Sequence, residues 1–184
     1  MLRVVVGFLP WIILAVLANR WFVPALLLAL LASCIITARE IRRRSVKILD
    51  AVTFAFFLLV TIGILGFRWM ALGLYMSLLV NLTLMAIAWG SLIIGVPFTI
   101  QYAREQVPPE RWHAPLFIRI NQYCTAVWGL DFTLAALIAL YQHATGDRGF
   151  VVQYAWLFFL VCALLFTTYF PSWYRARALR SPGA

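Results

Sequence analysis

The sequence predicts an all-α, polytopic membrane protein of six transmembrane helices arranged as three hairpins. Three observations lead there. Of 184 residues, 65% are apolar, against about 45–50% in an ordinary soluble domain. Only 11% are charged, against about 25%. The charges also avoid the apolar runs and gather between them. Eight Trp and fourteen Phe are too many to hide in a core of this size, so apolar surface is expected to face lipid. A soluble globular enzyme, a disordered tail, a coiled coil and a disulfide scaffold are excluded.

A helix needs about 20 residues to cross some 30 Å of hydrocarbon. The charge-free runs place spans at about 4–19, 21–38, 49–67, 71–97, 120–142 and 150–170. Arg3 and Arg20 bound the first run, which carries Pro10 in its interior, where a kink is expected. Its Val16-Leu17-Ala18 ending has the small-residue look of a cleavage site. Pro10, Trp11 and the even span count favour a retained helix. Pro24 opens the second span, where a missing N–H costs little. The charge-free stretch 69–103 exceeds one crossing, so its end is assigned to an amphipathic cytoplasmic loop, 98–119. Residues 171–184 form a basic cytoplasmic tail, starting where Pro171 is expected to stop the last helix.

Orientation follows from the basic residues. Assigning alternate connections to opposite sides puts twelve Lys and Arg on one side and three on the other. The richer side is cytoplasmic by the positive-inside rule, and both termini lie there. Trp21, Trp69 and Tyr141 fall at the outer interface, and Tyr102, Trp112, Trp173 and Tyr174 at the inner one. Each outer turn carries one Arg (Arg20, Arg68, Arg148), but unequal distances between these marks make a true repeat a weak reading. The multi-pass pattern and charge bias point to a membrane with one face on the cytoplasm.

Asp131 is the one ionisable residue near the middle of a span, and such residues are functional candidates because burying them is costly. Asn121, Cys124, Trp128, Ala135 and Gln142 share its side of the helix. By depth, Asn81 on the fourth span and Ser33 on the second are its candidate partners. The candidate intramembrane polar site is therefore Asp131, Asn81, Ser33, Asn121 and Trp128. It reads either as a proton- or cation-linked site or as an interhelical hydrogen bond that fixes packing.

The remaining features point to surfaces. Arg39, Arg42, Arg43, Arg44 and Lys47, with Arg175, Arg177 and Arg180 in the tail, are topology determinants and candidate contacts for anionic phospholipid headgroups. That placement, rather than the formal charge of +9, names the partner as the lipid bilayer and not nucleic acid. The 98–119 loop mixes aromatic, apolar and basic residues, as suits a segment in the headgroup plane, a docking surface or a gate. His113 and His143 fall on opposite faces, and Cys34, Cys124 and Cys162 lie far apart in apolar runs, so no metal site or cofactor is expected. No nucleophile motif, P-loop, dinucleotide fingerprint or paired catalytic carboxylates occur, and no catalytic residue is assigned.

Phe8-Leu9-Pro10, then Pro109, Trp112, Asn121, Trp128 and Phe132, give the chain a loose likeness over about a third of its length. In these positions it resembles the bacterial intracellular septation protein A family of small inner-membrane proteins. The resemblance implies a non-enzymatic part in cell-envelope maintenance or septation, and the leading reading is a scaffold or interaction protein with a membrane-protein partner or a homo-oligomer. A strip of small residues on the fourth span (Gly73, Ser77, Ala88, Gly95) offers a packing face for a partner or within the bundle. The alternative is a small proton- or cation-linked transporter or channel with Asp131 in its path. Cysteines replacing Arg43 and Arg177 are expected to react with a membrane-impermeant thiol reagent only after sealed cells are opened. Labelling of just one of them in sealed cells overturns the orientation.

Overall fold

A computed structural model describes residues 2–147 and 149–180. Among the described residues the chain is helical, without strands, and five helices are long and apolar enough to cross a membrane. This agrees with the all-α, multi-pass expectation. The chain divides into two compact units, Met1–Thr83 and Leu84–Ala184.

The first unit begins with α1, Leu2–Arg42. Its one residue with non-helical dihedrals is Trp21, at φ −140° and ψ 71°. The break in helical geometry thus falls at the expected outer turn, and Pro10 keeps helical dihedrals. Pro10 is fully buried and its fixed φ suits a helix. Pro24, by contrast, removes a donor and crowds the carbonyl four residues back, at Arg20, which weakens the helix next to Trp21. Both halves of α1 meet α2, Ile48–Thr61. Trp11 Nε1 donates to Thr53 Oγ1 at 2.9 Å, and its ring lies 4.9 Å and 5.0 Å from those of Phe56 and Phe57. Thr37 Oγ1 donates to the Asp50 carbonyl at 3.3 Å.

α2 ends in one wide π turn, Ile62–Gly66. The expected fourth span, 71–97, opens instead as a single turn, α3 (Ala71–Leu74), and resumes as α4 (Met76–Ile93) after Tyr75 leaves helical geometry at ψ 8°. Gly63 allows this join, because a Cβ there would stand 2.6 Å from Leu72 Cδ1. The boundary between the units falls within α4.

In the second unit α4 closes on Gly95, whose φ of +75° is open to glycine at no steric cost, with Val96 N–H reaching back to the Ser91 carbonyl at 2.9 Å. α5 (Phe98–Ala103), α6 (Pro115–Thr145) and α7 (Phe150–Arg180) follow. α6 is the centre of this unit, packing on both α5 and α7. α7 does not stop at Pro171 as expected but continues to Arg180. Phe166, Phe170 and Tyr174 pack at four-residue spacing, the first pair stacked at 4.4 Å and the second tilted at 5.2 Å, and support the helix across the missing N–H.

Gly129 fits α6 against the indole of Trp89, where a Cβ would meet Cε2 at 2.8 Å. Trp89 Nε1 donates to Thr133 Oγ1 at 3.0 Å, so the ring is held and has little room to retreat. Gly129→Ala is therefore expected to destabilise the protein by about 1–3 kcal/mol. Gly63→Ala should cost less, because the opposing atom is the movable end of a leucine. Thermal unfolding in detergent micelles measures the order of the two, and equal shifts would contradict it.

Candidate functional site

The buried face of α6 carries Asn121, Cys124, Thr125, Trp128, Asp131, Phe132 and Ala135. Most of its polar groups are satisfied locally. Asn121 Nδ2 donates to the Phe117 carbonyl at 2.8 Å, one turn back. Thr99 of α5 donates to the Asn121 carbonyl at 3.0 Å and lies 2.8 Å from Thr125 Oγ1. A hydroxyl has one proton, so Thr125 is the donor to Thr99 in that pair. Thr133 Oγ1 donates to the Gly129 carbonyl at 2.7 Å. Trp128 packs against Phe132 with ring centroids 5.5 Å apart.

Asp131 differs. It is only 6% exposed, and its Oδ1 has no hydrogen-bond partner among the described residues. An unpaired buried oxygen forgoes about 1–3 kcal/mol of solvation. The interhelical bond that would make this residue a packing element is not made by that oxygen.

The candidate residues divide between the two units. Asn121, Trp128 and Asp131 share α6, whereas Ser33 and Asn81 lie in the first unit. Ser33 is fully buried and donates to the Leu30 carbonyl at 2.8 Å. Asn81 Nδ2 donates to the Ser77 carbonyl at 2.8 Å. Both thus direct a donor to their own helix. In the small-residue strip, Ala88 is fully buried and Gly73 faces Phe22, so these two positions pack inside the protein.

Arg39 and Arg42 in the last turn of α1, with Arg43 and Arg44 just beyond it, are all exposed, as headgroup contacts need. Lys47 does not share that surface. It is 4% exposed, its Nζ lies 2.6 Å from Glu40 Oε2 and 4.0 Å from Asp50 Oδ2. Two carboxylates draw the ammonium inward, and its flexible stem lets it follow. This cluster was readable only in part. Asp50 is an acid in the first turn of α2, three residues after Lys47, but the partner Glu40 comes from the far side of the loop. In the tail, Arg175 and Arg177 are exposed, and Arg177 stands 5.6 Å over the Trp173 ring. The side chain of Arg180, like residue Arg148 and the tail beyond 180, lies outside the described residues.

The start of the 98–119 segment departs from an interfacial loop. Phe98, Thr99, Ile100 and Tyr102 are buried, and α5 packs on α6 through Thr99. The anchoring bond between Phe98 N–H and Ser91 Oγ, 3.0 Å, gave no periodic signal in the sequence. Beyond it the chain is knitted by Trp112, whose Nε1 donates to the Arg104 and Val107 carbonyls at 3.2 Å and 2.9 Å while the Arg104 guanidinium sits 5.4 Å over its ring. Among the described residues no group of three His, Cys, Asp or Glu is placed to hold a metal ion.

No family model, curated protein or solved structure matches the chain.

Removing the Lys47 ammonium would take the cation away from the buried carboxylate of Asp50 and the half-buried one of Glu40. Lys47→Met is expected to cost about 3 kcal/mol, in the range for one partner lost from a buried ion pair. Arg43→Ala, on the exposed side of the same loop, should stay within about 0.5 kcal/mol. Thermal unfolding of the two variants in micelles checks the contrast.

Proposed function

We propose that the chain crosses a bacterial cytoplasmic membrane six times, with both termini in the cytoplasm, and works as a small proton- or cation-linked transporter or channel with Asp131 in its path. The six-pass topology draws support from α1. Trp11 and Thr37 are 26 residues apart in sequence, about 39 Å along a straight helix. Their partners on α2, Thr53 and Asp50, are three residues apart, about 4.5 Å. Both bonds fit only if the chain doubles back between them, and Trp21 is where helical geometry fails. The strong bias of basic residues supports the orientation.

The observation that carries the function is the state of Asp131: a carboxylate in the middle of a spanning helix, 6% exposed, with Oδ1 unpartnered among the described residues. Natural proteins rarely keep such a group without using it. Every neighbouring polar side chain named above does what a packing role requires. The exposed Arg39, Arg42, Arg43 and Arg44 are assigned to anionic headgroups. Arg44 holds φ +52°, a conformation glycine takes more readily, which fits an arginine retained for its charge.

A second reading is a scaffold or interaction protein of the cell envelope, acting in its maintenance or in septation. Its support is α7: 6% of its most apolar 18 residues are buried, against 50% in α6. Trp156, Leu157, Val161, Leu164 and Leu165 are left facing outward, toward lipid, a membrane-protein partner or a second copy. The resemblance in Phe8-Leu9-Pro10, Trp112, Asn121 and Trp128 points the same way.

Flux separates the two. The full chain is reconstituted into liposomes holding a pH-sensitive dye, and a potassium gradient with valinomycin supplies the driving force. Asp131→Asn is expected to lower proton entry by about tenfold or more, the loss of a group on the path, with the same unfolding temperature. Equal rates in the two preparations would discard the transport reading and leave the scaffold.

A further inference from the structure

We propose that the species exchanged at Asp131 is a proton and not a metal cation; this rests on the transport reading above and specifies its substrate. A dehydrated metal ion needs several oxygen ligands converging on it, about six for the hard cations. Asp131 offers one carboxylate. Its neighbours one turn away on α6 are Val127, Trp128, Leu134 and Ala135, and Cys124 and Ile138 lie two turns away. They bring one indole N–H, a thiol and hydrocarbon, and no side-chain oxygen. The nearest hydroxyls and amide on α6, Thr125, Thr133 and Asn121, are engaged with Thr99, the Gly129 carbonyl and the Phe117 carbonyl. A proton needs only one lone pair, and Oδ1 holds it ready.

The elements packed on α6 bring little charge to this level. The contacts of Tyr123 with Phe170 and Tyr174, 5.7 Å and 5.9 Å between centroids, set the antiparallel register with α7. Asp131 is then level with about Leu164. The buried α7 residues there are Ala163 and Thr167, and the Thr167 hydroxyl donates to the Ala163 carbonyl at 2.8 Å. Cys162 is the titratable group of α7 at this depth, and it is exposed. Arg175 and Arg177 sit three turns or more toward the tail. α4 contributes Trp89 and carries no acid or base, and α5 brings Tyr102, followed directly by the base Arg104. On α6 itself the ionisable groups are Arg119, Tyr123, Cys124, Tyr141 and His143. Among the described residues of α4 to α7, then, no basic side chain on α6 or α7 is level with Asp131 to hold the carboxylate ionised, and the site changes by one full charge as the proton leaves.

Dicyclohexylcarbodiimide tests this. The protonated carboxyl adds across one C=N bond of the reagent, and the resulting O-acylisourea rearranges to a stable N-acylurea. The residue gains the whole mass of the reagent and nothing leaves. The full chain in liposomes is treated at a series of pH values and mapped by mass spectrometry. Modification at Asp131 is expected to fall by about tenfold per pH unit above its midpoint, and to be the same in sodium, potassium or choline chloride. Asp131→Asn should abolish it and Asp131→Glu retain it. Protection by sodium or potassium at fixed pH would overturn the proton assignment while leaving a cation-linked site. Absence of modification at every pH would overturn both the assignment and the transport reading on which it rests.

Discussion

A polar atom in hydrocarbon has no water to bond, so the protein itself has to supply its partner. That constraint organises the placement of nearly every polar side chain in the spanning helices. Thr83, Ser91, Thr133, Thr167 and Thr168 all donate to carbonyls three or four residues back on their own helices. The hydroxyl proton is satisfied without fixing any neighbour. Other bonds cross between helices, among them those of Trp11 with Thr53, Trp89 with Thr133 and Thr99 with Thr125. Such bonds contribute about 0.6 kcal/mol each on average, so they set register more than they set stability. The close approach of Gly129 to Trp89 supplies the complementary term, dispersion contact between surfaces that lipid cannot match in fit. Against this background the unpaired Oδ1 of Asp131 stands apart from the threonines and Asn121 of α6, whose polar groups are bonded.

The aromatic residues divide the labour in a related way. Trp11 and Trp89 turn their N–H groups inward onto threonines, and Trp112 turns its own onto two loop carbonyls. In each case a large apolar ring is buried or half-buried and its one donor is used. Phe166, Phe170 and Tyr174 have a different task on α7. They line one side of the helix past Pro171, where the backbone loses a bond and side-chain stacking holds the axis.

What the sequence disclosed, and what it withheld, follows from the range of each interaction. Helical class, the apolar character of the long helices and an interruption near Trp21 depend on local composition, and they were legible. So was the standing of Asp131, because one acid in an apolar run is visible without knowing its neighbours. The break at Tyr75 and the passage through Pro171 were hidden, since local propensity is overridden there by packing. Burial of α5 rests on Thr99 meeting Asn121 and Thr125, more than twenty residues on. Lys47 misled for a related reason: a lysine in a basic loop looks solvated until Glu40 is brought to it from across the turn.

That lysine also bears on how the basic loop can serve a membrane surface. Glu40 and Asp50 are the acids nearest to the four arginines in sequence, and either would weaken the local field by pairing with them. Both instead face the buried ammonium of Lys47, with Glu40 in direct contact. The arginines therefore stand exposed with the neighbouring acids turned toward another partner. The same ion pair ties the end of α1 to the start of α2 across the loop. A cluster held in place this way presents its charge at a fixed position relative to the helices. Each exposed guanidinium near an anionic surface contributes about 1 kcal/mol, and that sum is available only while the acids remain engaged elsewhere. Burying one positive charge is thus what leaves the other four free to act.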